Sequence, residues 1–450
     1  MFFRKQWLEM YTFILLFLVG LAFVFLVPPF QKPDEKSHFM RTLGITKGAI
    51  FCDSKQTETT LENQYLALEK TIDSFHLPNH KNNKFSATVY QKPIFATQND
   101  LKTVRFSFKE FCTYPLLPYL PSTIGIMLGT WFHTNAFITF FLGRLTLFLF
   151  IFTAFVWIYK NTARLYKPIL LCTFALPMAL HQITSYSYDG LWIVSGLAIF
   201  SLLFRARIPY FLLCIAFFCL YFSKIAGYEL LIFLLFLLPL QKQTIKKQLV
   251  LVVLIGGIIV FTKWLTVLAF TTYGVYPNGA NPSAQIAGLL GNPFTEISML
   301  VTTTAHRFSF YAQGLIGMFG WLDYGLDLPV YAGYCLAFGI LILTTSVPRA
   351  KLLSPVQLGI LTVILISSYA YILTLFYIVW AKVGAPVTDG VQGRYFLIFF
   401  PFFLLLLAQL KSRYFPKLNL RFSPPPILLA ILFTAIALSI IHSILSRYFG

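Results

Sequence analysis

Eleven apolar runs set the terms on which this 450-residue chain can fold. They lie at about 10–27, 136–159, 168–184, 190–204, 208–222, 227–240, 248–270, 329–347, 355–380, 394–410 and 425–445. Most approach or exceed the roughly 20 residues a helix needs to cross a hydrocarbon core about 30 Å thick. Peptide groups find no partner in lipid, so such runs must be helical. The chain therefore reads as an all-α polytopic membrane protein. The fourth to sixth runs are short and must thin the bilayer, extend into their flanks or pack inside the bundle. Composition agrees, with 57% hydrophobic and only 11% charged residues, against about 25% charged in a soluble domain. Arg4 and Lys5 precede the first run and Pro28-Pro29 follow it. Without a small-x-small cleavage pattern there, it is expected to remain as the first span.

Charge orients the bundle. Two further apolar stretches, 116–132 and 297–319, invert the downstream charge pattern if counted as spans, so they read as juxtamembrane helices. The segments then assigned to the cytoplasm hold Arg4, Lys5, Lys160, Arg164, Lys167, Arg205, Arg207, Lys242, Lys246, Lys247, Arg349, Lys351, Lys411, Arg413, Lys417 and Arg421, opposed by one acid, Glu9. The expected topology is N-terminus in and C-terminus out. The net charge of +19 is then an orientation signal and a match to anionic inner-leaflet lipid, with no need of nucleic acid.

Five regions follow: the N-terminus and first span (1–27), an extracytoplasmic loop with juxtamembrane helices (28–135), core spans two to seven (136–270), a second outer loop with its juxtamembrane helix (271–328) and spans eight to eleven (329–450). The outer piece 31–115 holds twelve Lys and Arg against nine Asp and Glu and is too apolar-poor to build much core of its own. Short amphipathic helices lying on the membrane are expected, with the best helical period at 61–75 and a mobile turn at 79–83. There is no internal repeat. Of six cysteines, Cys172, Cys214, Cys219 and Cys335 lie in apolar spans and read as packing residues. Cys52 and Cys112 share the outer loop and could be bridged in an oxidising compartment. No motif of metal-ligand spacing is evident.

Polar residues that survive at the ends of apolar spans are costly and need a reason. The stretch 28–41, P-P-F-Q-K-P-D-E-K-S-H-F-M-R, follows the first span directly. If it is helical after Pro33, Asp34, His38 and Arg41 share one face; a solvated loop start is the plainer reading. In the expected topology the outer side also gathers Tyr114, S-Y-S-Y-D at 185–189 with Tyr188 and Asp189, Lys224, Tyr228-Glu229, W-L-D ending at Asp323, and V-Q-G-R-Y with Gln392, Arg394 and Tyr395. An active site between membrane and outer solvent would look like this, with carboxylates for proton transfer and cations for a phosphate. Each residue has a plainer role too. Asp189 could cap a helix, Lys224 could snorkel, and the tyrosines could belong to an aromatic belt. Arg144 and Lys263 lie deep in their spans with no acid nearby in sequence, so each should find a partner on another helix. Arg394 is the strongest cation, a planar fork beside Gly393, where the backbone can approach closely.

Five motifs, P-P-F-Q-x-P-D-E-x-x-H-F-x-R, Y-P-L-L-P-Y, S-Y-S-Y-D, G-W-L-D and V-Q-G-R-Y-F, occur in order over most of the chain. Together they resemble an uncharacterised family of bacterial polytopic membrane proteins grouped with the GT-C glycosyltransferases. That resemblance implies a GT-C-like bundle of about eleven helices in the bacterial cytoplasmic membrane, its active site extracytoplasmic. It implies transfer of a sugar from a polyprenyl-phosphate carrier to a glycan, lipid or protein acceptor. By position Asp34 or Glu35 matches the family's catalytic acid in the first outer loop. The mechanism expected from the residues has Asp34 as general base, Glu35 or His38 orienting it or the sugar, and Arg394, with Lys224 or Arg41, neutralising the carrier phosphate. The family's use of a divalent metal in some members leaves one allowed here. Lys36 and the Y-P-L-L form depart from the family pattern. A transporter or flippase for lipid-linked glycan, and a glycan ligase or polymerase, are the alternatives.

Overall fold

The computed structural model describes residues 2–51, 57–86, 88, 102–205, 208–224, 226–237, 245–273, 279–418 and 426–450. Helices dominate. Helix α1 (Phe2–Leu26) leads into α2 (Glu35–Thr46), strand β1 (Glu58–Glu62), α3 (Asn63–Asp73) and strand β2 (Thr103–Ser107). Then come α4 (Leu120–Trp131), α5 (Ala136–Lys160), α6 (Lys167–Phe174), α7 (Pro177–Ile183), α8 (Asp189–Leu203) and α9 (Tyr210–Ser223). The rest comprises α10 (Ile245–Tyr273), α11 (Pro282–Gly291), α12 (Pro293–Ile316), the short strands β3 (Met318–Phe319) and β4 (Tyr324–Gly325), α13 (Leu328–Thr344), α14 (Pro355–Val379), α15 (Phe400–Tyr414) and α16 (Pro426–Tyr448).

Among the described residues five helices are long and apolar enough to cross a membrane: those at Trp7–Leu26, Ala136–Lys160, Gln248–Leu265, Pro355–Val379 and Ile427–Tyr448. Three shorter apolar helices, α8, α9 and α13, coincide with other expected spans. The remaining expected spans are not single α-helices. Pro177 cannot donate to the turn before it and holds Leu176 extended (φ −60°, ψ 128°), which splits 168–184 into α6 and α7. The described part of 227–240 is 3-10 helix from Glu229 to Leu237, and 394–410 opens with a 3-10 turn, Gly393–Phe396, before α15. Stretches 116–132 and 297–319 become α4 and α12, neither among the five.

Local chemistry sets several ends. Asn135 caps α5 by accepting from Ile138 N, and Ser354 with Gln357 forms a reciprocal capping box on α14. Helices α1 and α16 run side by side in the same direction. Tyr11 Oη lies 2.5 Å from Thr434 Oγ1 near their starts, while both helices finish toward the 28–85 segment: Phe85 N donates to Tyr448 O at 2.6 Å.

The 28–115 segment does more than lie on a membrane. Leu61, Tyr65, Leu68, Ile72, Leu77 and Phe85 are buried in the same core as the bundle. Each such side chain contributes about 1.5–3 kcal/mol when fully buried, so the apolar stripe of α3 fastens the segment to the helices. The 61–75 helix starts two residues later than expected because Leu61 and Glu62 belong to β1, which pairs antiparallel with β2 (Leu61 opposite Val104). Cys112 is disulfide-bonded, and its expected partner, Cys52, lies outside the described residues.

Candidate functional site

The neighbours Asp34 and Glu35 point to different places. Glu35 is fully buried and saturated: Oε1 accepts from Arg144 Nε (2.8 Å) and Tyr186 N (3.2 Å), Oε2 from Arg144 Nη2 (2.5 Å) and Phe30 N (3.1 Å). Arg144 uses its remaining N–H groups on the carbonyls of Val24, Val27 and Pro28, at 3.1, 2.6 and 3.1 Å. Those carbonyls at the end of α1 lack intrahelical donors. A cation from α5 thus caps α1, and Glu35 neutralises the cation. Arg144 finds the partner its sequence context demanded, and so does Lys263, 3.1 Å from Glu229.

Asp34, by contrast, keeps a side chain 56% exposed and makes no capping bond to α2, facing Arg394 Nη2 at 3.8 Å. Its backbone is left-handed (φ 62°), as is that of Phe30 (φ 63°). Such conformations persist only where surroundings over-determine them. Here the Glu35 carboxylate holds Phe30 N, and Trp321 Nε1 donates to Phe30 O at 3.1 Å. Glu35 therefore shapes the loop that presents Asp34.

Three helix ends converge beside it. Asp189 at the start of α8 lies 3.2 Å from Lys224 at the end of α9 and 3.8 Å from Arg394 Nη1 ahead of α15. Lys224 Nζ sits over the rings of Tyr395, Tyr188, Trp192 and Tyr228 at 4.0, 5.1, 5.2 and 5.9 Å. Burial pushes this ammonium down to about 8 against the pull of Asp189. The guanidinium of Arg394 is 7% exposed; Nη1 donates to Gln182 Oε1 at 3.1 Å, yet Nε has no hydrogen-bond partner. Gly393 lets this turn approach α12, since a β-carbon there would overlap Tyr311 O and Leu315 N.

His38 completes one wall, its Nδ1 2.6 Å from Tyr119 Oη and its ring packed on Tyr114 and Tyr188. Burial lowers its pKa to about 4, outweighing the nearby Asp34 and Asp189 carboxylates, so the imidazole is neutral at pH 7. The structure thus unites Asp34, His38, Tyr114, Tyr188, Asp189, Lys224, Arg394 and Tyr395.

Three expected site residues stand elsewhere. Arg41 donates to the carbonyls of Tyr114, Ala49 and Ile50 at 2.9, 2.7 and 2.8 Å, which ties the loop to α2. Asp323 accepts from Arg447 Nε (3.1 Å) and Nη2 (2.8 Å), while Arg447 also reaches Leu77 O and Asn83 O. That pair clamps α16 to the 28–85 segment. Glu35 is the third. Gln392 adjoins the cluster in sequence, and its Oε1 is buried without a partner.

Sequence reasoning missed Lys32, Gln182 and the Trp192 face. Lys32 is 1% exposed and donates to His181 O (2.9 Å) and Thr184 Oγ1 (2.7 Å). Burial, then Arg144, pushes its pKa well below the usual lysine value, with Glu35 opposing. Its place inside Q-K-P-D-E was the available signal. Gln182 had none, being one polar residue in an apolar run. Among the described residues no group of three or more metal-ligating side chains gathers.

These features define a polytopic α-helical membrane protein with a buried charged cluster where its helix ends meet. The chain belongs to the family described as "Predicted membrane protein (DUF2142)", whose sequence model matches residues 17–406. No curated protein and no solved structure matches it.

Proposed function

We propose that this protein is a GT-C-type glycosyltransferase that moves a sugar from a polyprenyl-phosphate carrier to an extracytoplasmic acceptor at the bacterial cytoplasmic membrane. The observation that supports this reading most is the pairing of an exposed carboxylate, Asp34, with a buried guanidinium, Arg394, whose Nε is unpartnered. In a single displacement, Asp34 takes the proton of the acceptor hydroxyl. The acceptor oxygen forms a bond to the anomeric carbon as the bond to the carrier phosphate breaks, and the phosphate leaves with the electron pair. Arg394 and Lys224, both largely buried, neutralise the developing charge, and preorganised cations out of solvent count most. Glu35 serves as a positioning residue. His38, neutral at pH 7 and bonded to Tyr119, braces the tyrosine wall.

Purified protein incubated with candidate polyprenyl-phosphate sugars and a panel of hydroxyl-bearing glycan, lipid and peptide acceptors is expected to release free polyprenyl phosphate. Asp34→Asn should lower that release by about 10²–10⁴-fold, the range for loss of a general base, while carrier binding persists. Near-normal release by the variant would remove Asp34 from the role; no release from any carrier sugar by the wild type would reject the transferase reading.

A further inference from the structure

Next to the cluster, beyond the Gln392 to Arg394 turn, lies an open cleft of about 140 Å³ lined in part by Arg307, Tyr311, Leu322, Thr388, Asp389 and Gln392. That volume is below the ~300 Å³ of a pocket for a drug-sized ligand and suits a single ring. Three observations mark it as a built site. Thr388 is 1% exposed, and its Oγ1 has no hydrogen-bond partner; neither has the buried Oε1 of Gln392. Buried polar atoms left unpaired in a native fold call for an explanation, which a ligand supplies once a turn of either side chain brings its oxygen to the cleft surface. Leu322 is held at φ 64°, a left-handed conformation that is a genuine outlier for a bulky residue and gathers at functional sites. At the rim, Arg307 Nη2 meets Asp389 Oδ1 at 2.8 Å, both side chains about half exposed.

We infer that this cleft is the acceptor subsite and that the acceptor is a carbohydrate, bound through a ring's hydroxyl groups. The inference rests on the transferase reading for the word acceptor, but the chemistry is local. Hydroxyls both donate and accept. Gln392 Oε1 needs a donor, Thr388 Oγ1 takes either role, and the Asp389 carboxylate accepts from neighbouring hydroxyls. Tyr311 offers an aromatic edge or face to the ring's C–H groups. A phosphate or carboxylate would have to take Arg307 from Asp389 and would face the acceptors of Gln392 and Asp389, and an alkyl chain would leave all of them unpaired. Gln392, which lines the cleft, is two residues ahead of Arg394 in the chain, which ties the two regions through one turn.

The test is binding without turnover. Purified protein in detergent is presented with a panel of methyl glycosides of common hexoses and N-acetylhexosamines, with saturation-transfer NMR as readout. At least one glycoside is expected to bind, with affinity falling about tenfold or more in Gln392→Leu and in Thr388→Val, each of which removes one polar partner. Gln392→Glu, which keeps the acceptor oxygen, should retain binding. No binding by any glycoside, or binding indifferent to both Gln392→Leu and Thr388→Val, overturns the inference. Carrier release without glycoside binding would sink this inference alone; Gln392-dependent binding without carrier release would sink the transferase reading alone.

Discussion

Two charged regions begin at adjacent residues and are built on opposite rules. Around Glu35 every hydrogen-bonding position of carboxylate and guanidinium is filled, and neither side chain meets solvent. Around Asp34 the opposite charges stand 3.8 Å apart, one carboxylate is open, and one guanidinium nitrogen is unpaired. The saturated pair fixes the end of α1; the unsaturated group has spare capacity for a ligand. The contrast teaches that burial and charge alone do not leave room for a ligand, whereas incomplete pairing does.

The comparison breaks first at Glu35. Removing one partner of a buried ion pair leaves an uncompensated charge and costs about 3–5 kcal/mol. Glu35→Gln should therefore lower the thermal unfolding temperature in detergent strongly, while Asp34→Asn leaves it almost unchanged. Equal melting of the two variants would erase the distinction between clamp and site.

A smaller effect concerns pH. The folded-state pKa of His38, about 4, lies below the ordinary value of 6.5. Stability is then fully present above pH 6.5 and is lost as pH falls toward 4, because the unfolded chain takes up a proton that the buried ring refuses. The contribution is on the order of 3 kcal/mol. Unfolding temperatures followed from pH 7 to 4 should fall more steeply for the wild type than for His38→Gln; parallel curves would contradict a buried neutral ring.

The smallest expected change sharpens the phosphate assignment. Arg394→Lys keeps a charge but loses the planar fork. Losing one or more charge-assisted hydrogen bonds of about 1.5–3 kcal/mol should weaken carrier binding roughly 10- to 100-fold. Titration with a polyprenyl phosphate is the measurement, and unchanged affinity would make Arg394 a structural residue.

The helices of the bundle were legible because a polypeptide in lipid has one common way to satisfy its backbone, and apolar length announces it. The break at Pro177 was written in the sequence too, yet a hydropathy reading passes over it because Leu176-Pro177 is as apolar as its surroundings. The β1–β2 pairing was hidden for another reason: its strands are about forty residues apart in sequence and carry mixed polarity, so no local period reveals them. At the site, Asp34, Asp189 and Arg394 stood out as charges at helix ends. Gln182 and Thr388 did not, because a single amide or hydroxyl has no pattern.

By itself the sequence determined that this is a helical membrane protein and that its costly polar residues fall at the ends of apolar runs. It also showed that Arg144 and Lys263 need partners from elsewhere. Only the tertiary structure told the surroundings of Asp34 from those of Glu35. Adjacent carboxylates are chemically alike, and what separates them is which cation and which backbone amides the fold brings within 3 Å or so of each, a property of α5 and the 186 turn rather than of the residues themselves.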